Sequence, residues 1–167
     1  SLLKIMRIII LGHSGLIGES ILETLAKDPS LNLICVSRSI KNRLTSNIRI
    51  KYFNWDFVTF KKLNQLFLKK VDVIINCVGK IDNNTNDLKS INITFVKKLL
   101  KYINNYQSKI RLIHLSSVAV YEVNKKKIGQ YNVISENNSV KSNDLYSQTK
   151  IKGDLLIKNS IKKNSNK

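Results

Sequence analysis

The chain is poor in acid, in proline and in the residues that staple or metallate small proteins. Its 167 residues include one proline, one tryptophan, two cysteines and two histidines. Cys35 and Cys77 each sit inside an apolar, strand-like run and have no metal-ligand spacing. They read as buried free thiols in a reducing, cytoplasmic compartment. His13 and His114 have no Cys/His cluster around them, so nothing supports a metal site. No apolar run approaches the ~20 residues that span a bilayer. Leu2 to Leu11 does not read as a signal peptide, because Lys4 and Arg7 interrupt it and a glycine turn follows. Acidic residues number 11 against 29 basic ones, a net charge of +18. Such charge invites a nucleic-acid reading. However, the lysines are scattered, arginine is scarce, and aromatics are not interleaved with the basic residues. A solvated lysine surface explains this at least as well as specific nucleic-acid binding does.

What is present is a globular composition, 43% hydrophobic, of a length that makes one domain the default. The chain is organised around Gly12-His-Ser-Gly15-Leu-Ile-Gly18. The β-branched run Ile8-Ile-Ile-Leu11 precedes it, and a helical pattern with Ile17, Ile21, Leu22 and Leu25 on one face follows. Strand, glycine turn and helix start together can hold a dinucleotide pyrophosphate, since the helix end offers unpaired N–H groups and a positive dipole. A strand–turn–helix also carries glycines for packing alone, so the motif needs company.

The same alternation continues along the chain. Strands are expected at Asn32–Val36, entered through the turn Asp28-Pro29-Ser30, and at Ile48–Phe53, Val71–Cys77 and Ile110–Leu115. A polar loop is expected over Ser37–Asn47 and a short helix over Phe60–Leu68. A long helix over Leu88–Tyr106 follows the polar break at 83–86, with Ile91, Phe95, Leu99 and Tyr102 at helical spacing. Glu122–Asn143 reads as an exposed excursion, and a last helix begins at Asp144 and frays from about 160. This order predicts an α/β, Rossmann-type, doubly wound parallel sheet with helices on both faces, its ligand at the C-terminal strand ends. The glycine loop, Asn76-Cys-Val-Gly79 and Ser116-Ser117 all fall there.

Tyr146-Ser-Gln-Thr-Lys150 is the second stretch that bears chemistry. The i, i+4 spacing puts phenol and ammonium on one helix face. A lysine ammonium beside a phenol favours the phenolate, drawing a phenol's pKa down from about 10. Such a tyrosine can take a proton from a hydroxyl or return one to a carbonyl. A bare Tyr-x-x-x-Lys also occurs by chance as a half-buried Tyr and a surface Lys.

Taken in order, these stretches resemble the short-chain dehydrogenase/reductase superfamily, and within it the extended branch of NAD(P)-dependent sugar-nucleotide epimerases and dehydratases. Gly12-x-x-Gly15-x-x-Gly18 is similar to that branch's cofactor loop. The resemblance implies that Gly12, Ser14, Gly15, Leu16, Ile17 and Gly18 line the pyrophosphate. It implies that Asp56 contacts adenine and that Asn76, Val78 and Gly79 form the segment after the fourth strand. Asn92 would belong to the family's structural and proton-relay network. Leu115-Ser-Ser-Val-Ala-Val-Tyr121 is similar to the Ser-Ser-x-x-Val-Tyr-Gly signature. By that likeness Ser117 is the catalytic-position serine, Tyr146 the acid/base and Lys150 the nicotinamide-ribose ligand. Gly153-Asp154 is similar to the Gly-Glu that often follows the lysine.

The chain departs from the pattern in places. Glu122 and Ser147 stand where glycines are usual, and the loop before Tyr146 lacks a frequent proline. The ribose-binding acid expected after the second strand is absent; Ser37 and Arg38 offer a hydroxyl and a guanidinium that suit a 2′-phosphate. NADP is therefore preferred over NAD. Members of the branch continue into a substrate-binding region, so the chain is expected to be an N-terminal portion of an epimerase, dehydratase or reductase of a nucleotide-activated sugar. The resemblance also implies a homodimer through the long helix and the Tyr/Lys helix. The alternative is a non-catalytic dinucleotide-binding sensor or scaffold.

Overall fold

A computed structural model of the protein describes residues 5–39, 49–55, 70–81, 84–105, 109–122 and 133–165, with side chains described as far as 161. The expected Phe60–Leu68 helix lies outside the described residues, as does most of the expected Ser37–Asn47 loop. Two compact units form: Ser1–Gly79 with Tyr102–Leu115, and Lys80–Lys101 with Ser116–Lys167.

The first unit carries a five-stranded sheet in the order β3-β2-β1-β4-β5. Its strands are β1 (Met6–Leu11), β2 (Leu31–Ser37), β3 (Ile50–Asn54), β4 (Val73–Asn76) and β5 (Arg111–His114). All pairings are parallel. The β-branched runs of β1, β2 and β4 explain the arrangement, because a parallel strand is covered on both faces. Ile8, Ile10, Leu33 and Cys35 pack on one face with Leu22 of α1 (Leu16–Leu25). Ile9, Leu11, Ile34, Val36 and Ile74 are buried as well. The strand order reverses between β1 and β4, which makes their C-terminal ends the switch point where such sheets take ligands.

Local chemistry sets the ends of several elements. The Asp28 carboxylate accepts from the Ser30 N–H and hydroxyl at 2.8 and 2.7 Å, which fixes the turn into β2. β4 is shorter than the expected Val71–Cys77, and the Asp72 carboxylate takes the Arg7 N–H at 2.9 Å just before it starts. Ile17 departs from its expected inward position. It is 57% exposed, and the core stripe of α1 begins one turn later, at Ile21 and Leu22.

The second unit is helical. The expected long helix starts three residues early, at Thr85, where the Asn84 side chain caps the amides of Asn86 and Asp87. It comprises α2 (Thr85–Lys89), a π-helical segment (Ser90–Phe95) and α3 (Val96–Asn105), whose residues from Tyr102 onward belong to the first unit. Leu88, Ile91, Phe95 and Leu99 are buried along it. A 3-10 turn (Val118–Val120) and α4 (Leu145–Ser165) follow. The backbone of α4 stays helical through Ser165, past the expected fraying point; lysine is a good helix former. Among the described residues, no helix is long and apolar enough to cross a membrane.

One test of this frame concerns Gly18. A Cβ there would lie 2.2 Å from the Gly12 carbonyl oxygen, a backbone atom that cannot swing aside. Gly18→Ala is expected to cost about 1–3 kcal/mol or more. The measurement is a urea melt whose midpoint falls without a change in slope; an unchanged midpoint would show that the turn is slack.

Candidate functional site

In the first unit the glycine stretch is built by backbone geometry. Gly12 has φ +81°, a conformation that suits only a residue without a side chain. Its N–H bonds to the Val36 carbonyl at 2.7 Å, tying the turn to the end of β2. A Cβ on Gly12 would also stand 3.1 Å from the Cys77 carbonyl carbon and the Val78 nitrogen. Thus the loops leaving β1 and β4 meet at the switch point. Gly15 donates to the Gly12 carbonyl at 3.1 Å and serves as the N-cap of α1 without any side-chain cap. Ser14 completes the turn and is half-buried.

The first-turn amides of α1, on Leu16, Ile17 and Gly18, have no carbonyl within their own helix to bond. Leu16 and Ile17 are exposed at 89% and 57%, so this helix end is open. A helix end without a side-chain cap, pressed against a turn that a Cβ would obstruct, fits a dinucleotide pyrophosphate.

Asn76 is fully buried at the end of β4. Its Oδ1 accepts from the Val78 N–H at 3.1 Å, which shapes the segment leading to the exposed Gly79. Its Nδ2 lies 2.9 Å from Nδ1 of His114, its register partner on β5. Because the oxygen is committed to Val78, the amide nitrogen is the group that faces the imidazole. Ser37 is buried and donates its hydroxyl to the Ser39 carbonyl, while Arg38 is exposed just beyond β2. Asp56 lies outside the described residues. Burial pushes the Cys35 thiol to about 12 and the Cys77 thiol to about 11, so both stay protonated.

His13 is the residue in this loop that the sequence did not mark. It is only 2% exposed, and its ring centroid stands 5.3 Å from that of Tyr52. Neither ring nitrogen has a hydrogen-bonded partner. Burial pulls its pKa below the usual value, while the Val36 carbonyl and the Glu19 carboxylate pull the other way.

In the second unit Asn92 lies in the π segment and is 3% exposed. Its side chain accepts from the Lys80 N–H and donates to the Lys80 carbonyl, both at 3.2 Å. It also donates to the Thr149 hydroxyl at 2.9 Å, and that hydroxyl donates to the Tyr146 carbonyl at 2.7 Å. One amide therefore ties the Lys80 backbone to the turn of α4 that runs from Tyr146 to Lys150. A Cβ at Gly153 would stand 2.6 Å from the Asn92 carbonyl, so α4 and the π segment approach closely.

Asp144 starts α4 by accepting from the Ser147 N–H at 2.9 Å and from the Ser142 hydroxyl at 2.5 Å. Hydrogen bonds from Ser142 and then Ser147 hold its carboxyl down at about 2. Tyr146 is half-buried in the first turn of α4. Lys150 is 4% exposed. Its pKa is lowered by burial, a pull that Asp154 opposes. Ser117 caps the 3-10 turn, its Oγ accepting from the Ala119 N–H at 3.2 Å, which leaves the hydroxyl proton for another acceptor. The Ser116 hydroxyl donates to the Asp154 carboxylate, tying this serine pair to α4. A half-open cavity of about 360 Å³ lies between Tyr121–Glu122 and the segment 141–144.

Over residues 8–166 the sequence matches the NAD dependent epimerase/dehydratase family. The chain belongs to that family. No curated protein matches the sequence. Among solved structures, this family member is similar to the UDP-Glc/GlcNAc 4-epimerase of Campylobacter jejuni, at 20% identity and a TM-score of 0.82, with 96% of this chain and 50% of that one covered. It is similar to the UDP-glucuronic acid 4-epimerase of Bacillus cereus in complex with NAD, at 21% identity and 0.79, covering 94% and 52%. The dTDP-glucose 4,6-dehydratase of Bacillus anthracis, also in complex with NAD, aligns at 17% and 0.79, covering 95% and 51%. The chain spans about half the length of these structures.

The buried imidazole yields a pH prediction. His13 takes a proton less readily in the folded chain than the ~6.5 of a free histidine. The unfolded chain therefore binds more protons as pH falls, and stability is lost below about pH 6.5. Asp144 is shifted in the same direction but in a lower range, contributing above about 4 and losing that contribution only as pH falls toward about 2. His13→Phe, which keeps a ring beside Tyr52, is expected to flatten the stability slope between pH 7.5 and 5, read by denaturant melts at each pH. An unchanged slope would place the titration elsewhere.

Proposed function

We propose that the chain is the cofactor-binding and proton-handling part of an NAD(P)-dependent epimerase, dehydratase or reductase acting on a nucleotide-activated sugar. The observation that carries this reading is the cradle at Gly12 and Gly18, which excludes a Cβ at Gly18, strains one at Gly12 through its φ of +81°, and sits at the sheet's switch point. Family membership and the nucleotide-sugar enzymes among its structural neighbours support it.

In this reading the turn and the first amides of α1 hold the pyrophosphate, and Lys150 binds the nicotinamide ribose. Asp56 contacts the adenine. Arg38 receives a 2′-phosphate, which makes NADP the preferred cofactor. When bound, the cofactor supplies hydride transfer to and from a sugar carbon. Tyr146 takes the proton from the sugar hydroxyl as its carbon is oxidised and returns one on reduction. Ser117 donates its hydroxyl proton to the reacting oxygen, its Oγ already oriented by Ala119. Asn92 keeps the first turn of α4 rigid through Thr149 and the Tyr146 carbonyl, so the phenol is held in one place.

Titration of the chain with NADPH and NADH, followed by nicotinamide fluorescence, is expected to show NADPH binding about tenfold tighter, a difference that Arg38→Ala removes. Equal affinities would refute the 2′-phosphate assignment, and binding of neither cofactor would refute the reading. In the full-length protein assayed on a panel of nucleotide sugars, Tyr146→Phe is expected to lower turnover by at least about 100-fold, with cofactor affinity unchanged. Retained turnover would sink the role given to Tyr146.

A further inference from the structure

We infer that Asp154 is a positioning residue that acts through Lys150, holding the buried ammonium charged and in place, with Ser116 as its anchor. The inference rests on the reading of Lys150 as a cofactor ligand. Asp154 follows Lys150 by one helical turn, and residues at this spacing face each other along a helix. Its carboxylate does not depend on the helix alone for its position. The Ser116 hydroxyl, from the segment just before the 3-10 turn, donates to it. Lys150 is 4% exposed, and a buried ammonium without a counter-charge tends to lose its proton. Asp154 works against that tendency.

Among the described residues, the elements packed most closely on α4 carry a single acid, Asp87. The π segment Ser90–Phe95 and the 3-10 turn Val118–Val120 contain no charged side chain. On α2, Asp87 is paired with Lys80, and Lys89 is exposed and of the same sign as Lys150. On α4 itself Tyr146 lies one turn before Lys150, and Lys152 is exposed. Asp154 is the one acid of α4, it lies a helical turn from Lys150, and its charge opposes the loss of the lysine's proton. The same carboxylate joins Ser116, the neighbour of Ser117, to the helix that carries Tyr146 and Lys150. One acid thus serves both the charge of the lysine and the placement of the serine segment.

The test is the pH dependence of cofactor affinity from pH 6.5 to 10.5, with NADPH and NADH as probes, in the unaltered chain and in Asp154→Asn, Asp154→Glu and Ser116→Ala. Without the carboxylate, Lys150 deprotonates at lower pH. Asp154→Asn is expected to match the unaltered chain at pH 6.5 and to bind about fivefold more weakly by pH 9, the difference between a charge-assisted and a neutral hydrogen bond. Asp154→Glu should restore the profile. Ser116→Ala, which removes the anchor and keeps the charge, should shift the profile the same way by less, and it answers the question if Asp154→Asn does not fold. An unshifted profile in Asp154→Asn, or uniform weakening at every pH, would overturn the inference. Failure of the unaltered chain to bind either probe at any pH would instead remove the cofactor reading, and this inference with it.

Discussion

Residue 18 has no room for a side chain, because the Gly12 carbonyl oxygen would stand 2.2 Å from its Cβ. The geometry of the first unit's ligand end follows from that contact. The helix can begin only where the turn ends, so its first amides face outward beside the strand ends instead of being covered by a capping side chain. The turn is pinned on its other sides by the Val36 carbonyl and by the Cys77–Val78 backbone. A phosphate would meet a surface made almost entirely of main chain, which needs little reorganisation and has no rotamers to freeze.

The second unit reaches rigidity by the opposite means. Its fixed point is a side chain, the buried amide of Asn92, which satisfies both main-chain groups of Lys80 and a threonine hydroxyl at once. Satisfied buried polar groups specify one arrangement, because any slip leaves a donor or acceptor without water or a partner. Thr149 passes the constraint to the Tyr146 carbonyl, and Asp144 caps the same turn from the other end. The Tyr146 phenol is thus attached to a turn restrained at both ends.

The strands and the glycine turn were legible because their signals are local: β-branched runs, a polar turn and a glycine spacing. The helix that carries Tyr146 and Lys150 was legible for the same reason. What escaped depends on contacts that composition does not encode. His13 looked like a loop residue and is instead a buried ring against Tyr52. His114 became the partner of Asn76 only through the parallel register that sets the two side by side. Ile17 carries the hydrophobicity of a core residue, yet it falls in the open first turn. The expected start of the long helix missed the cap at Asn84, since an asparagine-rich break offers several candidate caps and only geometry picks one.

The π segment at Ser90–Phe95 has a consequence for how this helix can change over time. A π turn is one residue longer than the α turn it replaces, so everything before it is rotated by about 100° relative to everything after it. Removing a single residue from this segment would give a more regular helix with a complete ladder of α hydrogen bonds. It would also swing Leu88 and Asn84 around the axis relative to Leu99, and turn Asn92 away from Lys80 or from Thr149. Substitution can adjust this helix gradually, but a change of length cannot. Insertions and deletions are therefore expected to be excluded here, even though the local backbone looks like the least regular part of the helix.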